Sequence, residues 1–215
     1  WYVSDGTVYN GNSPSHTFQQ TGNFTVTLVA TSVFGCIDSI MEEVYVSGPP
    51  VASFTLDPTL GCAVLPVTFT NTSTGYAFVQ YTWDFGYNNQ TSTLEQPDTI
   101  LYGQGLSDTT YFITLTATNH CGTDTHIDSV LVFPRPTAVM DISQDLGCTP
   151  LNVEFNNMSF GLPDSFAWYI NDILYSTDSI PPAHIFTADS TMNVTYTIQL
   201  IAVNECGTDT TTRFI

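Results

Sequence analysis

The chain almost lacks positive charge: it contains no lysine, and Arg135 and Arg213 are its only arginines. Twenty aspartates and glutamates oppose them, so the formal net charge at pH 7 is −18. Nucleic-acid binding is effectively excluded because phosphate contacts require lysine or arginine, and anionic membrane surfaces are disfavoured for the same reason. The charge suits a long protein that stays soluble and separate from its neighbours. The charge also suits an environment in which salt or divalent cations screen it. An acidic surface with no relation to the environment is an equally good interpretation.

Other signals are also missing. No apolar run approaches the roughly 18 residues of a membrane span, and no segment keeps apolar residues at helical spacing over three turns. The nucleophile elbow G-x-S-x-G, the zinc motif H-E-x-x-H and a phosphate-binding glycine loop do not occur. Charged residues make up only 10% of the chain, whereas 13% are aromatic. This composition is typical of a β-rich secreted protein rather than a disordered one, and we expect no enzyme.

A tryptophan–cysteine spacing recurs along the chain. It measures 38 residues in two copies and 35 in the first, and the cysteines of the set are 85 residues apart (Trp83–Cys121, Trp168–Cys206 and Trp1–Cys36). Solenoid repeats are about 20–50 residues long, so a period of this size indicates an array of small domains. We divide the chain into unit 1 (residues 1–47), unit 2 (residues 48–134) and unit 3 (residues 135–215).

Only units 2 and 3 carry a second cysteine ahead of the tryptophan, namely Cys62 and Cys148. Unit 1 begins on its tryptophan, so we expect its N-terminal strands to be missing and the sequence to be a segment of a longer protein. Unit 2 is expected to be complete, and the last strand of unit 3 to be truncated.

This alignment predicts disulfides within units, Cys62 with Cys121 and Cys148 with Cys206. Cys36 would then pair with a residue outside this sequence, about 20 residues upstream; the alternative is a free Cys36. A bridge closing such a loop of about 60 residues stabilises by roughly 4 kcal/mol in the loop-entropy account, and disulfides imply an oxidising compartment. A metal site is the competing interpretation, which the absence of any C-x-x-C pair opposes.

Alternating apolar positions predict the strands. One such strand recurs in every unit, with the inward series Ile113, Leu115, Ala117 in unit 2. Earlier strands begin at Ala52 and at Val67. Seven or so short strands in about 85 residues predict an antiparallel β-sandwich. Short proline-containing linkers join the units, and their composition favours semi-rigid spacers and an extended rod; they are residues 47–51 and residues 133–137.

Three local motifs occur in the chain: a tryptophan with an acidic–glycine turn, a Pro-x-His-x-Phe element, and an aromatic-x-Val-x-Leu strand. They include Trp83-Asp84-Phe85-Gly86, Pro14-Ser15-His16-Thr17-Phe18 and Phe24-Thr25-Val26-Thr27-Leu28. Together they resemble the PKD repeat, an immunoglobulin-like module. The Gly-Cys and Cys-Gly-Thr-Asp-Thr segments resemble the cysteine-bearing PKD repeats of large Bacteroidota surface proteins, which are typically exported by the type IX system and include gliding and attachment adhesins.

The resemblance implies a non-catalytic structural or adhesive segment of a large bacterial extracellular surface protein, a stalk or filament. Its partners would be neighbouring PKD repeats of the same chain, extracellular polysaccharide or protein surfaces, or like chains. The alternative is an accessory region of a secreted protease, chitinase or collagenase, which would hold a polymeric substrate through exposed aromatics such as Tyr76, Tyr81 or Tyr87.

The resemblance also implies possible modification and ligand sites. Asp followed by Ser or Thr and then by an apolar residue or Thr resembles the O-glycosylation acceptor of that group, although Asp-Ser and Asp-Thr pairs are common in turns. The candidate acceptors are Ser39, Thr99, Thr109, Ser129, Ser179, Ser190 and Thr210. Calcium is the one cofactor to consider, since some PKD modules bind it through oxygen ligands. Asp5 and Asp84 are the weak candidates. His16 and His184 are expected to pack or hydrogen-bond rather than act as bases.

Overall fold

The computed structural model describes residues 1–75, 78–103, 105–189 and 193–215, and within these ranges it contains strands and no helix. The β-branched and aromatic residues that alternate along the sequence lie in these strands, where side chains point to opposite faces in turn. The predicted all-β class is therefore confirmed.

Unit 1 is a single antiparallel sheet of three strands in the order β1-β2-β3. The strands are β1 (Tyr2–Val3), β2 (Gly22–Thr31) and β3 (Ile37–Val46). Val3 is the only hydrophobic side chain of the described part of unit 1 that is buried. Val26 and Leu28, whose counterparts in unit 2 are fully buried, are half-buried here because the described residues provide no second sheet over this face.

Unit 2 is a two-sheet sandwich. One sheet has the order β5-β11-β10-β7-β8 and the other β4-β6-β9. The inner faces of both sheets meet in one core around Trp83, which is fully buried. The strands are β4 (Phe54–Asp57), β5 (Leu60–Cys62), β6 (Leu65–Asn71), β7 (Gln80–Asp84), β8 (Thr91–Ser92), β9 (Ile100–Tyr102), β10 (Thr109–Asn119) and β11 (Gly122–Phe133).

Unit 3 repeats this plan. Its larger sheet has the order β16-β15-β18-β19, and the short pairs β12-β14 and β13-β17 form the facing layer. A separate core surrounds Trp168. The strands are β12 (Met140–Ile142), β13 (Leu151–Val153), β14 (Phe155–Asn157), β15 (Ser165–Ile170), β16 (Ile173–Ser176), β17 (His184–Phe186), β18 (Thr197–Asn204) and β19 (Gly207–Phe214).

The three tryptophans occupy the same place in the three units. Each indole Nε1 donates to a backbone carbonyl about ten residues further along: Trp1 to Gly11 at 2.9 Å, Trp83 to Leu94 at 3.0 Å and Trp168 to Asp178 at 3.1 Å. A buried indole N–H without an acceptor would be destabilising, so this bond accompanies burial of the ring. The tryptophan of the repeat thus keeps one fixed polar partner, and in units 2 and 3 its ring lies in the core.

Candidate functional site: the junction between units 2 and 3

A disulfide joins the two sandwiches. Cys62 of unit 2 is bonded to Cys206 of unit 3, with 5.4 Å between their Cα atoms and a sequence separation of 144 residues. Cys121 and Cys148 are free and exposed. The predicted pairings Cys62–Cys121 and Cys148–Cys206 are therefore wrong. Cys36 is also free and exposed in the structure.

Strand direction explains the error. Cys62 ends β5, which pairs in parallel with the last residues of β11, so that Cys62 lies opposite Phe133. Cys121 lies just before the first residue of β11, in the turn after β10. β11 contains 12 residues and is therefore about 40 Å long, whereas the Cα atoms of a disulfide lie within about 7 Å. The two cysteines of unit 2 are at opposite ends of the sandwich.

Arg135 bridges the two units beside the disulfide. Its Nε donates to the carbonyl of Ala63 in unit 2, and its Nη1 donates to the carbonyl of Cys206 at 3.0 Å. Ala63 follows the bonded Cys62, and Cys206 is the other bonded cysteine. One guanidinium therefore links the backbone on both sides of the disulfide. A planar fork of donors fits this double contact better than a lysine ammonium.

Asn204 fixes the linker to unit 3. Its Nδ2 donates to the carbonyls of Pro134 at 3.0 Å and Gly161 at 2.9 Å, and its Oδ1 accepts from the amide of Cys206 at 2.8 Å. On the far side of the linker, the amide of Ala138 donates to Asp209 Oδ2 at 2.8 Å. Pro134 and Pro136 are buried. The linker is thus held by side chains of the turn and strand that carry Cys206.

The junction between units 1 and 2 repeats the asparagine and aspartate contacts. Asn119 Nδ2 donates to the carbonyl of Gly48 at 2.9 Å, and its Oδ1 accepts from the amide of Cys121 at 2.8 Å. The amide of Ala52 donates to Asp124 Oδ2 at 2.8 Å. These asparagines and aspartates flank the repeated cysteines at fixed spacing, two residues before and three after, which is a signal that the sequence analysis missed.

The two calcium candidates lie in turns. Asp5 Oδ1 accepts from the amide of Thr7 at 2.9 Å, and its Oδ2 lies 2.8 Å from His16 Nε2. The hydrogen bond from the Thr7 amide is the main cause that holds the pKa of Asp5 below its ordinary value. Asp84 Oδ1 accepts from the amide of Gly86 at 2.9 Å. The described residues contain no cluster of three or more His, Cys, Asp or Glu that could hold a metal, and calcium stays a prediction.

The repeated histidines pack against aromatic rings, as predicted. The His16 ring lies 4.5 Å from that of Phe18, and the His184 ring lies 4.5 Å from that of Phe186, both edge-on. His16 Nδ1 is also 2.9 Å from the hydroxyl of Tyr9. Two equivalent positions with the same edge-to-face contact point to a structural element of the repeat.

Two of the tyrosines proposed to hold a polymer are not exposed. Tyr81 and Tyr87 are half-buried and pack against the core of unit 2, and the ring of Tyr87 lies 5.3 Å from those of Tyr102 and Tyr111. Burial raises the pKa of Tyr81. The expectation of exposure is wrong for both; Tyr76 lies outside the described residues.

The candidate glycan acceptors differ in exposure. Four have exposed side chains and two are half-buried, while Ser190 lies outside the described residues. The exposed ones are Ser39, Thr99, Ser179 and Thr210, and the half-buried ones are Thr109 and Ser129. An exposed hydroxyl is available for modification, so the glycan prediction concerns mainly the first group.

Part of the chain matches a known protein family, and the whole chain resembles several solved structures. Residues 1–48 match the family model of the PKD domain. Solved structures that resemble the chain include the I-band fragment of titin, with 17% identity, 89% of this chain and 72% of that chain covered, and a TM-score of 0.44. The mouse nectin-like molecule 4 ectodomain has 11% identity, with 93% of this chain and 74% of that chain covered and a TM-score of 0.47. The four N-terminal Ig domains of Dscam1 have 8% identity, with 98% of this chain and 64% of that chain covered and a TM-score of 0.38. No curated protein matches the sequence.

The strands and sheets described above make the fold an all-β immunoglobulin-like sandwich, and residues 1–48 match the model of the PKD domain. Domains of these two kinds are in general non-catalytic, and a disulfide agrees with an extracellular location. In the part of the chain that the structure describes, no helix is long and apolar enough to cross a membrane.

Proposed function

We propose that the chain is a non-catalytic stalk or filament segment of a large extracellular surface protein, with an adhesive or gliding role in a bacterium that exports it. The disulfide between consecutive sandwiches carries this proposal. A catalytic domain needs a stable cleft, whereas a load-bearing array needs covalent and polar connections between its domains. Here Cys62–Cys206, Arg135 and Asn204 all act at the boundary between two units.

The surface chemistry supports the same role. With a net charge of −18 and no lysine, neighbouring copies repel one another, and an extended protein stays in solution at high local density. The partners we propose are neighbouring repeats of the same chain and polysaccharide or protein surfaces outside the cell. We also propose that the exposed acceptors carry glycans. An intact mass of native material equal to that of the bare polypeptide would refute this proposal.

Small-angle X-ray scattering tests the stalk. A sandwich with strands of about ten residues is about 33–40 Å long, so two and a half units in line give about 100 Å and a radius of gyration of about 30 Å. A compact chain of 215 residues would give about 17 Å. The reduced chain is the matched control, since it keeps the same units without the bridge. A value near the compact one for the oxidised chain contradicts the proposal.

The surface location needs a second measurement. Antibodies raised against units 2 and 3 should label intact cells that produce the protein, and mild protease treatment of those cells should remove the label. Label that appears only after cells are broken would contradict a role outside the cell.

A further inference from the structure

The asparagine contacts of the two junctions correspond. Asn119 contacts the carbonyl of Gly48 as Asn204 contacts that of Pro134, at 2.9 and 3.0 Å. Ser47, which precedes Gly48, therefore stands where Phe133 stands in the second junction. Phe133 is the residue that lies opposite Cys62 in the parallel pairing of β5 with β11.

The thiol of Cys121 already lies at this position of the first junction. Its Sγ is 3.3 Å from Ser47 Oγ and 3.5 Å from the carbonyl of Ser47. Cys121 is equivalent to Cys206, and its thiol faces the end of the preceding unit as the bonded sulfur of Cys206 does.

A second disulfide at the first junction also requires a strand equivalent to β5 that carries the partner cysteine. In unit 2, β5 covers the outer edge of β11 and delivers Cys62. In unit 1, β3 is the edge strand of its sheet among the described residues. An edge strand presents hydrogen-bonding groups to an added strand, so the end of β3 beside Ser47 has the place that β5 fills one unit later.

We propose that Cys121 is one half of a second interunit disulfide, whose other half is a cysteine at the end of a Leu-Gly-Cys-like strand paired in parallel with the end of β3. The bond joins the two sulfurs, and two electrons and two protons pass to a disulfide oxidant that leaves as a dithiol. The inference rests on the proposed array, in which every junction between units has one interunit disulfide.

Cys148 has the features of the delivering half. A glycine precedes it as Gly61 precedes Cys62, and a Cβ added at either glycine would meet the leucine four residues later, Leu151 at 2.3 Å or Leu65 at 2.6 Å. The same leucine-covered Gly-Cys segment therefore occurs in both units. Cys148 is exposed and unbonded, as expected when its partner belongs to a following unit rather than to its own.

Thiol exchange on the intact oxidised chain tests the proposal. A synthetic peptide of residues 58–67, its cysteine blocked as the glutathione mixed disulfide, is added, and the thiolate of Cys121 displaces glutathione to form the peptide disulfide. The internal control is Cys36, which is also exposed and lies in the turn between β2 and β3. A scrambled peptide is the second control.

We expect about tenfold more peptide on Cys121 than on Cys36, since the hydrogen bonds of one short added strand suffice for a preference of that size. Peptide mapping by mass spectrometry gives the ratio. Equal coupling to the two cysteines, or equal coupling of the scrambled peptide, overturns the proposal.

A chain with residues 52–82 repeated ahead of Trp1 provides the covalent version. Disulfide mapping should show the second copy of Cys62 bonded to Cys121. A bond to Cys36, the pairing within one unit, overturns the proposal, and so does a chain that folds with both thiols free. If this longer chain does not fold, the exchange ratio decides alone. If scattering shows an extended chain but the peptide couples equally to Cys121 and Cys36, this inference is wrong and the proposed function is not contradicted.

Discussion

Loss of the Cys62–Cys206 bridge should greatly increase the length to which the chain can be pulled. When force is applied at the two termini, the bridge carries the load directly from unit 2 to unit 3, and the residues between the two cysteines remain unloaded even after both sandwiches unfold. The sequence separation is 144 residues, and an extended chain gains about 3.3–3.6 Å per residue. Reduction should therefore add about 480–520 Å of contour length.

Optical tweezers with handles at the termini measure this length. The oxidised chain, the chain in reductant and Cys206→Ser are pulled to full extension, and Cys121→Ser serves as the control because that cysteine is exposed and unbonded. The first variant should match the reduced chain, and the control should match the oxidised one. Two separate gains of about 200 Å on reduction, the signature of bridges within units, would refute the interunit connection.

Three further changes test the packing and the junction. Trp83→Ala should destabilise by about 3–5 kcal/mol in urea unfolding because the ring is fully buried, whereas Trp1→Ala, at a half-buried ring, should cost clearly less; equal losses would contradict the difference in burial. Asn204→Ala should cost about 1–3 kcal/mol because it leaves the carbonyls of the linker without their donor, and an unchanged midpoint would show that the linker is held otherwise. The pKa of Asp5 is lowered in the folded chain mainly by the Thr7 amide, so its contribution to stability is present above about pH 4 and is lost as the pH falls through the lower folded value. An NMR titration midpoint for the Asp5 carboxyl at or above about 4 would contradict this, and Asp5→Asn should remove the Asp5 share of the pH dependence of stability.

The strands and the core were predictable from period-two alternation. Ile113, Leu115 and Ala117 are all fully buried, as their spacing indicates, because a strand exposes alternate side chains to one face and that face meets a second sheet. The same pattern in unit 1 overstates burial at Val26 and Leu28, since alternation reports which face a residue occupies and not whether that face is covered.

The disulfide connection was not predictable from spacing. A pairing within each unit and a pairing between consecutive units give the same 85-residue recurrence of Cys121 and Cys206. What distinguishes them is the end of the sandwich at which each cysteine lies, and that depends on the parallel pairing of β5 with β11. Parallel pairing of so short a strand is a tertiary contact, so local sequence patterns do not encode it.

The junction also determines rotation. A backbone linker alone allows one sandwich to turn about the long axis relative to the next, but the bridge between Cys62 and Cys206 is a second covalent connection beside it. Two connections at one boundary fix the angle between successive units. In the array we propose, in which each junction carries such a bridge, a feature on a unit surface would recur at a constant angular step. Several copies would then meet a regular partner surface at once, with the gain in avidity that simultaneous contacts give.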